Sequence, residues 1–230
     1  KMFAANLDGV LLMLAISPPY SPELLGRTLT ACKHAEVPLT ILFNKVDILE
    51  GDSETLEAVE QELFEITLGE VPTHYISVTE RPAETETLLR PLLEKKRTLI
   101  LGQSGMGKST LINLLIPGAL AATNEISMAL NAGKHTTTHT QMHFGEEGLE
   151  LIDSPGFQAF GLHHLSESDL LNAFADIRDE GNKCRFANCQ HKREPDCAVK
   201  NGLEDGSLSP ARYALYQMLK AELQEASQSY

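Results

Sequence analysis

The run Gly102, Gln103, Ser104, Gly105, Met106, Gly107, Lys108, Ser109 and Thr110 carries the spacing GxxxxGK[ST]. An apolar run, Thr98–Leu101, precedes it and a helical pattern, Lys108–Leu115, follows, which is the context a phosphate-binding loop requires. Glycines let successive backbone N–H groups turn inward around phosphate oxygens at a helix N-terminus. Lys108 is placed to reach the terminal phosphates of a bound nucleotide and the Ser109 hydroxyl to ligate Mg²⁺. Downstream, Asp153-Ser154-Pro155-Gly156 follows the apolar stretch Leu149–Ile152. A DxxG after a strand is by itself an ordinary turn. About 45 residues beyond Lys108 and on a strand of the same sheet, it supplies a carboxylate for the magnesium's outer shell and, at Gly156, an N–H for the terminal phosphate.

Asn44-Lys45-Val46-Asp47 follows a third apolar run, Leu39–Phe43. A carboxylate at Asp47 can accept from the N1–H and the exocyclic amine of guanine, where adenine offers no donors, so the loop selects GTP over ATP. The Lys45 stem would lie along the base, and Asn44 would tie this loop to the phosphate loop. Ser77, at the end of the run His74–Val78, stands where a short loop would close over the base. The order is unusual, because the base-reading loop precedes the phosphate loop. A doubly wound sheet accommodates such a circular permutation, since joining the old termini and cutting elsewhere keeps the strands and the site at their C-terminal ends. Asp153–Gly156 then leads directly into the C-terminal part of the chain.

Cys184, Cys189, His191 and Cys197 supply three thiolates and one imidazole within fourteen residues. Four protein ligands leave no place for water, so this set reads as a closed, structural Zn²⁺ site. A disulfide framework would leave an odd member in the cluster. Arg178, Lys183, Arg185, Lys192 and Arg193 surround it; they read equally as an RNA-contact patch or as a solvated face balancing the zinc site's charge.

The elements that must hold these groups follow from hydrophobic pattern. Val10–Ser17, Leu39–Phe43, His74–Val78, Thr98–Leu101, Gln141–Phe144 and Leu149–Ile152 read as strands. Pro22–Ala35, capped by Ser21, Ser53–Leu68 and Lys108–Leu115 read as helices between them. Alternation of the two predicts an α/β, largely parallel, doubly wound sheet over residues 1–160. Ser166–Arg178 and Pro210–Ala226 read as amphipathic helices of a small zinc-bearing domain over 161–230. With 230 residues, 42% of them hydrophobic, the chain can bury a real core. Its 19 basic against 32 acidic residues give a net charge of −13, which argues against holding nucleic acid by general electrostatics and leaves any RNA contact to local patches. No apolar run reaches the roughly 20 residues a membrane helix needs, and no signal-peptide layout opens the chain, so a cytoplasmic protein is expected.

Taken with the permuted motifs, the run His135-Thr136-Thr137-Thr138 and the cysteine cluster make the sequence resemble the circularly permuted, ribosome-small-subunit-dependent GTPases of bacteria, the RsgA or YjeQ family, over essentially all 230 residues. The resemblance implies a late assembly factor of the small ribosomal subunit that hydrolyses GTP to GDP when that subunit stimulates it, with the subunit and its rRNA as partners; a monomer is expected. It also implies an N-terminal OB-fold, which would stand ahead of Lys1. By the same resemblance Gly133–Thr138 is the first switch loop, Thr137 meets Mg²⁺ and the terminal phosphate, and His135 positions the attacking water. Three threonines between a glycine and a strand read equally as a plain polar loop. Phe157 stands where many GTPases have a water-orienting glutamine and cannot hydrogen-bond, and Gln158 and His139 are the alternatives to His135. A GTP-binding regulatory module with little turnover is the rival reading; an ATPase or metabolite kinase would require Asn44–Asp47 to be chance.

Overall fold

A computed structural model of the chain describes residues 6–119, 140–154 and 165–228. Its strands are β1 (Gly9–Ala15), β2 (Leu39–Asn44), β3 (Thr73–Ile76), β4 (Arg97–Leu101), β5 (Gln141–Phe144) and β6 (Glu150–Asp153). They form one sheet in the order β3-β2-β1-β4-β6-β5. Every neighbouring pair is parallel except β5–β6. The mostly parallel α/β sheet is therefore present, with one antiparallel edge. Central strand β1 is buried from Val10 to Ala15, which is why it reads as an unbroken apolar run rather than an alternating one.

The chain steps from β1 outward to β2 and β3, then returns to place β4 on the other side of β1. That reversal creates a crevice outside the carboxyl ends of β1 and β4, where ligands of open α/β sheets bind.

The described helices are α1 (Pro22–Ala35), α2 (Ser53–Thr67), α3 (Pro82–Leu93), α4 (Lys108–Leu115), α5 (Glu167–Ala173), α6 (Ala175–Gly181), α7 (Ala198–Glu204) and α8 (Pro210–Gln228). Two compact units result, one drawn from residues 1–20, 37–56 and 71–159 and the other from 21–36, 57–70 and 160–230. In the first, Leu11, Met13, Ile100, Met106, Ile112 and Leu151 share one core. In the second, α1 lies so close to α8 that a β-carbon on Gly26 would come within 2.7 Å of Leu219.

Local signals explain the boundaries. The Ser21 hydroxyl accepts from the Leu24 N–H at 3.2 Å and Pro22 occupies the first turn, so α1 begins there. A reciprocal capping box between Ser166 and Asp169 opens α5. The single helix expected over Ser166–Arg178 is instead two, broken at Phe174, whose backbone is non-helical (φ −113°, ψ 57°). Buried Arg212 is the physical reason: its guanidinium donates to the Ala173 carbonyl at 3.0 Å and lies 4.6 Å over the Phe174 ring. It also pairs with Asp176 at 3.0 Å and donates to the Ile66 carbonyl. No described helix is long and apolar enough to cross a membrane.

Candidate functional site

The phosphate-loop residues follow β4 and rest on a rigid floor. Gly102, Gly105 and Gly107 take φ of +149°, +83° and +101°, conformations that side-chain-bearing residues rarely adopt. A β-carbon on Gly102 would lie 2.6 Å from the Met13 carbonyl of β1, so only glycine lets the loop cross that strand. Met106 is fully buried and anchors the loop from below. Gly107 caps α4 without a side-chain hydrogen bond, and Ser109 and Thr110 stand exposed in the first turn. Uncapped N–H groups at a helix start attract anions.

Lys108 curls back to donate to the Gly102 and Gln103 carbonyls at 2.6 and 2.9 Å. Burial pushes its ammonium below the ordinary lysine range, opposed by the nearby Asp153 carboxylate. Burial likewise raises Asp153, opposed by Lys108 and His143. Asp153 ends β6 with Oδ1 buried and accepting no hydrogen bond. An orphaned carboxylate oxygen beside a buried ammonium suits a hydrated cation and a phosphate.

Three loops are tied together by one side chain. Asn44, 3% exposed at the end of β2, donates to the Met106 carbonyl at 2.9 Å and accepts from the Val78 N–H at 3.0 Å. The stretch after β2 is thus bound both to the phosphate loop and to the loop after β3. Ser77, one residue past β3, donates its hydroxyl to the Asp47 carboxylate and accepts from the Glu80 N–H at 3.2 Å. This turns Asp47 and holds it. Lys45, in the left-handed conformation at φ +67°, donates its ammonium to the Ser17 carbonyl at 2.6 Å. Carboxylate, lysine stem and phosphate cradle therefore share one end of the sheet.

In the helical unit, the donor atoms of Cys184, Cys189, His191 and Cys197 all lie within 4.8 Å of one another. Cys184 and Cys197 sulfurs are 3.9 Å apart, and His191 Nδ1 is 3.6 and 3.5 Å from them. A tetrahedral ion bonded at ~2.3 Å to sulfur and ~2.05 Å to nitrogen requires edges of roughly 3.8 and 3.6 Å. Bonded sulfurs would stand about 2.0 Å apart; Cys184, Cys189 and Cys197 are free thiols here. Gly181 makes room for the ring, since a β-carbon there would meet His191 Cε1 and Nε2 at 3.3 Å. The Tyr213 hydroxyl holds the His191 carbonyl at 2.8 Å.

The RsgA GTPase family profile matches residues 1–163. The chain belongs to the RsgA GTPase family. It is 46% identical over 228 residues to the small ribosomal subunit biogenesis GTPase RsgA of Burkholderia mallei (strain SAVP1), covering 99% of this chain and 70% of that relative. The equally named protein of Paraburkholderia phytofirmans is also 46% identical, over 236 residues, covering 99% of this chain and 72% of the relative. Among solved structures, YjeQ from Thermotoga maritima superposes with a TM-score of 0.70 at 29% identity, covering 95% of this chain and 72% of that one. YloQ, a circularly permuted GTPase, gives 0.68 at 27%, covering 96% and 69%.

Of the site residues this RsgA-family sequence singles out, Asn44, Lys45, Asp47, Ser77, the run Gly102–Thr110 and Asp153 come together as described. His135, Thr137 and Gly156 lie outside the described residues. Three residues that the motifs do not single out also stand at the site. Ser17 and Pro18 flank Lys45 and Gly105, and their only signal is a proline pair just past a strand. His143, 6% exposed on β5, faces the Asp153 charge, diagonally placed by the β5–β6 register. Of the basic residues near the cluster, Arg178, Lys183 and Arg185 pair with Asp179, Glu180 and Asp196.

Proposed function

We propose that this RsgA-family chain is a cytoplasmic, monomeric GTPase that hydrolyses GTP to GDP during late maturation of the small ribosomal subunit and is stimulated by that subunit, meeting its rRNA through local basic patches. The observation that carries this reading is the Asn44 side chain, which binds the guanine-reading loop to the phosphate loop in one rigid unit. Its relatives, small ribosomal subunit biogenesis GTPases, suggest the ribosomal partner.

In this mechanism Asp47, aimed by Ser77, reads the guanine edge while the Lys45 stem covers its face. Gly102, Gln103, Ser104, Gly105, Met106, Gly107 and Thr110 contribute the loop that wraps the phosphates, and Lys108 exchanges its two carbonyl acceptors for phosphate oxygens. A phosphate beside Lys108 returns its proton affinity toward the ordinary range, because the new negative charge offsets burial. Ser109 and Thr137 would hold Mg²⁺, with Asp153 through water, and the ion supplies charge neutralisation at the terminal phosphates. Gly156 donates to the terminal phosphate and His135 orients the attacking water. Cys184, Cys189, His191 and Cys197 would hold one structural Zn²⁺.

Phosphate release with and without purified small subunits tests the whole. Stimulation of at least tenfold is expected for the wild type, and His135→Ala should bind nucleotide and subunit yet turn over slowly when docked. No stimulation by subunits leaves a GTP-binding module and defeats the proposal. Base choice is a separate check: Asp47→Asn should lose GTP and gain xanthosine triphosphate, since an amide can face xanthine's carbonyl. Unchanged GTP affinity in that variant removes Asp47 from the site.

A further inference from the structure

The loop between β1 and α1 belongs to no nucleotide motif, yet it lies across the switch-point crevice from the phosphate loop. Three observations tie it to the site. The Ser17 carbonyl receives the Lys45 ammonium at 2.6 Å. Pro18 Cδ lies 3.2 Å from where a β-carbon of Gly105 would stand, so its ring closes directly on the phosphate loop. Tyr20 meets Phe43 edge-to-face, with centroids 6.2 Å apart, which fixes the loop's exit against β2 immediately before Asn44. Ser17 and Pro18 are themselves exposed, so burial in the core does not explain their contacts.

We propose that Ser17 and Pro18 form a third wall of the guanine pocket, the Ser17 carbonyl acting as the positioning group for Lys45 and Pro18 as a stop against Gly105. A free lysine side chain samples many rotamers, and laying its stem along a base costs that freedom at binding. Holding the ammonium beforehand removes much of this cost. Proline at 18 confines Ser17 to extended backbone, so the carbonyl keeps one direction. When a base covers the lysine stem, water leaves the Lys45–Ser17 bond and the bond strengthens. Occupancy of the pocket therefore stiffens residues 17–21, the segment that ends in the Ser21 cap of α1.

This inference rests on the guanine-site reading and is tested apart from it. Pro18→Gly frees the Ser17 backbone at an exposed position, and Kd for GDP is expected to rise roughly three- to tenfold. In a Lys45→Met background the same change should cost clearly less than in the wild type, because the carbonyl then has no lysine to hold and only the stop against Gly105 is lost. Amide hydrogen exchange supplies a readout that a purely structural role would not move: GDP should slow exchange at Tyr20 and Ser21 in the wild type and less so in Pro18→Gly. Additive losses in the double variant, or exchange at Tyr20 and Ser21 that ignores GDP, overturn the wall. Should Asp47→Asn bind GTP normally, the guanine site itself is misplaced, which is a different result from either of these.

Discussion

Gly107→Ala is expected to abolish nucleotide binding at micromolar concentrations while leaving the helical unit folded. At φ +101° a side chain costs about 1 kcal/mol or more in backbone strain. The larger effect is steric, because the new β-carbon would stand 2.4 Å from Asn44 Nδ2. Asn44 has to leave, and with it go the bonds to Met106 and Val78, at roughly 1–3 kcal/mol for each buried partner left unsatisfied. Together these come to on the order of 4 kcal/mol, or about a thousandfold in Kd. Gly118→Ala is the control: its φ is +84° but nothing lies within 4 Å of the added carbon, so it carries strain alone and should bind normally. Titration with a fluorescent GDP analogue measures both. A Gly107→Ala protein within tenfold of wild type would mean that the Asn44 bridge is dispensable.

Loss of the metal cluster should act on the other unit. Purified protein is expected to contain about one zinc per chain, and Cys189→Ser or prolonged chelation should unfold the segment around residues 184–204. That stretch has a single short helix, Ala198–Glu204, and beyond buried Cys197 and Val199 little apolar anchorage. Removing one ligand forfeits a large share of a binding energy of about 10 kcal/mol or more, so the helical unit's melting temperature should fall by about 10 °C or more. GDP affinity should stay near wild type, because every described nucleotide-site residue belongs to the sheet-bearing unit. Metal-free protein with an unaltered melting profile would dispose of the structural-zinc reading.

What could be read in advance depended on whether a signal was local. α1 has its cap and its first-turn proline adjacent in sequence, so its start and end match the pattern reading, Pro22–Ala35. Helix α3 (Pro82–Leu93) was not read, for its start lacks a side-chain cap and Pro91 interrupts its last turn. The break at Phe174 was invisible because it is caused by Arg212, far along the chain. Motif residues of the candidate site were legible from spacing, since each motif is a contiguous loop. The bonds that aim them were not: Ser77 reaches Asp47 across 30 positions and Lys45 reaches Ser17 across 28. Such pairings follow from strand order, and strand order is a tertiary property.

The interleaving of the two units also sets an order of events during synthesis. Gly26 of α1 closes against Leu219 of α8, and 219 − 26 = 193 residues separate them. At about 5–20 residues per second the ribosome needs roughly 10 to 40 seconds to make that stretch. Throughout that interval the apolar face of α1, with Leu24 and Leu25, waits without its final partner. Strands β1, β2 and β3 can pair as soon as they emerge, so the sheet sets early and the helical unit closes last, like a clasp. A chain ended just after Gly156 would keep the nucleotide motifs but leave α1 permanently open, and its yield should be limited by aggregation rather than by any defect in the guanine pocket.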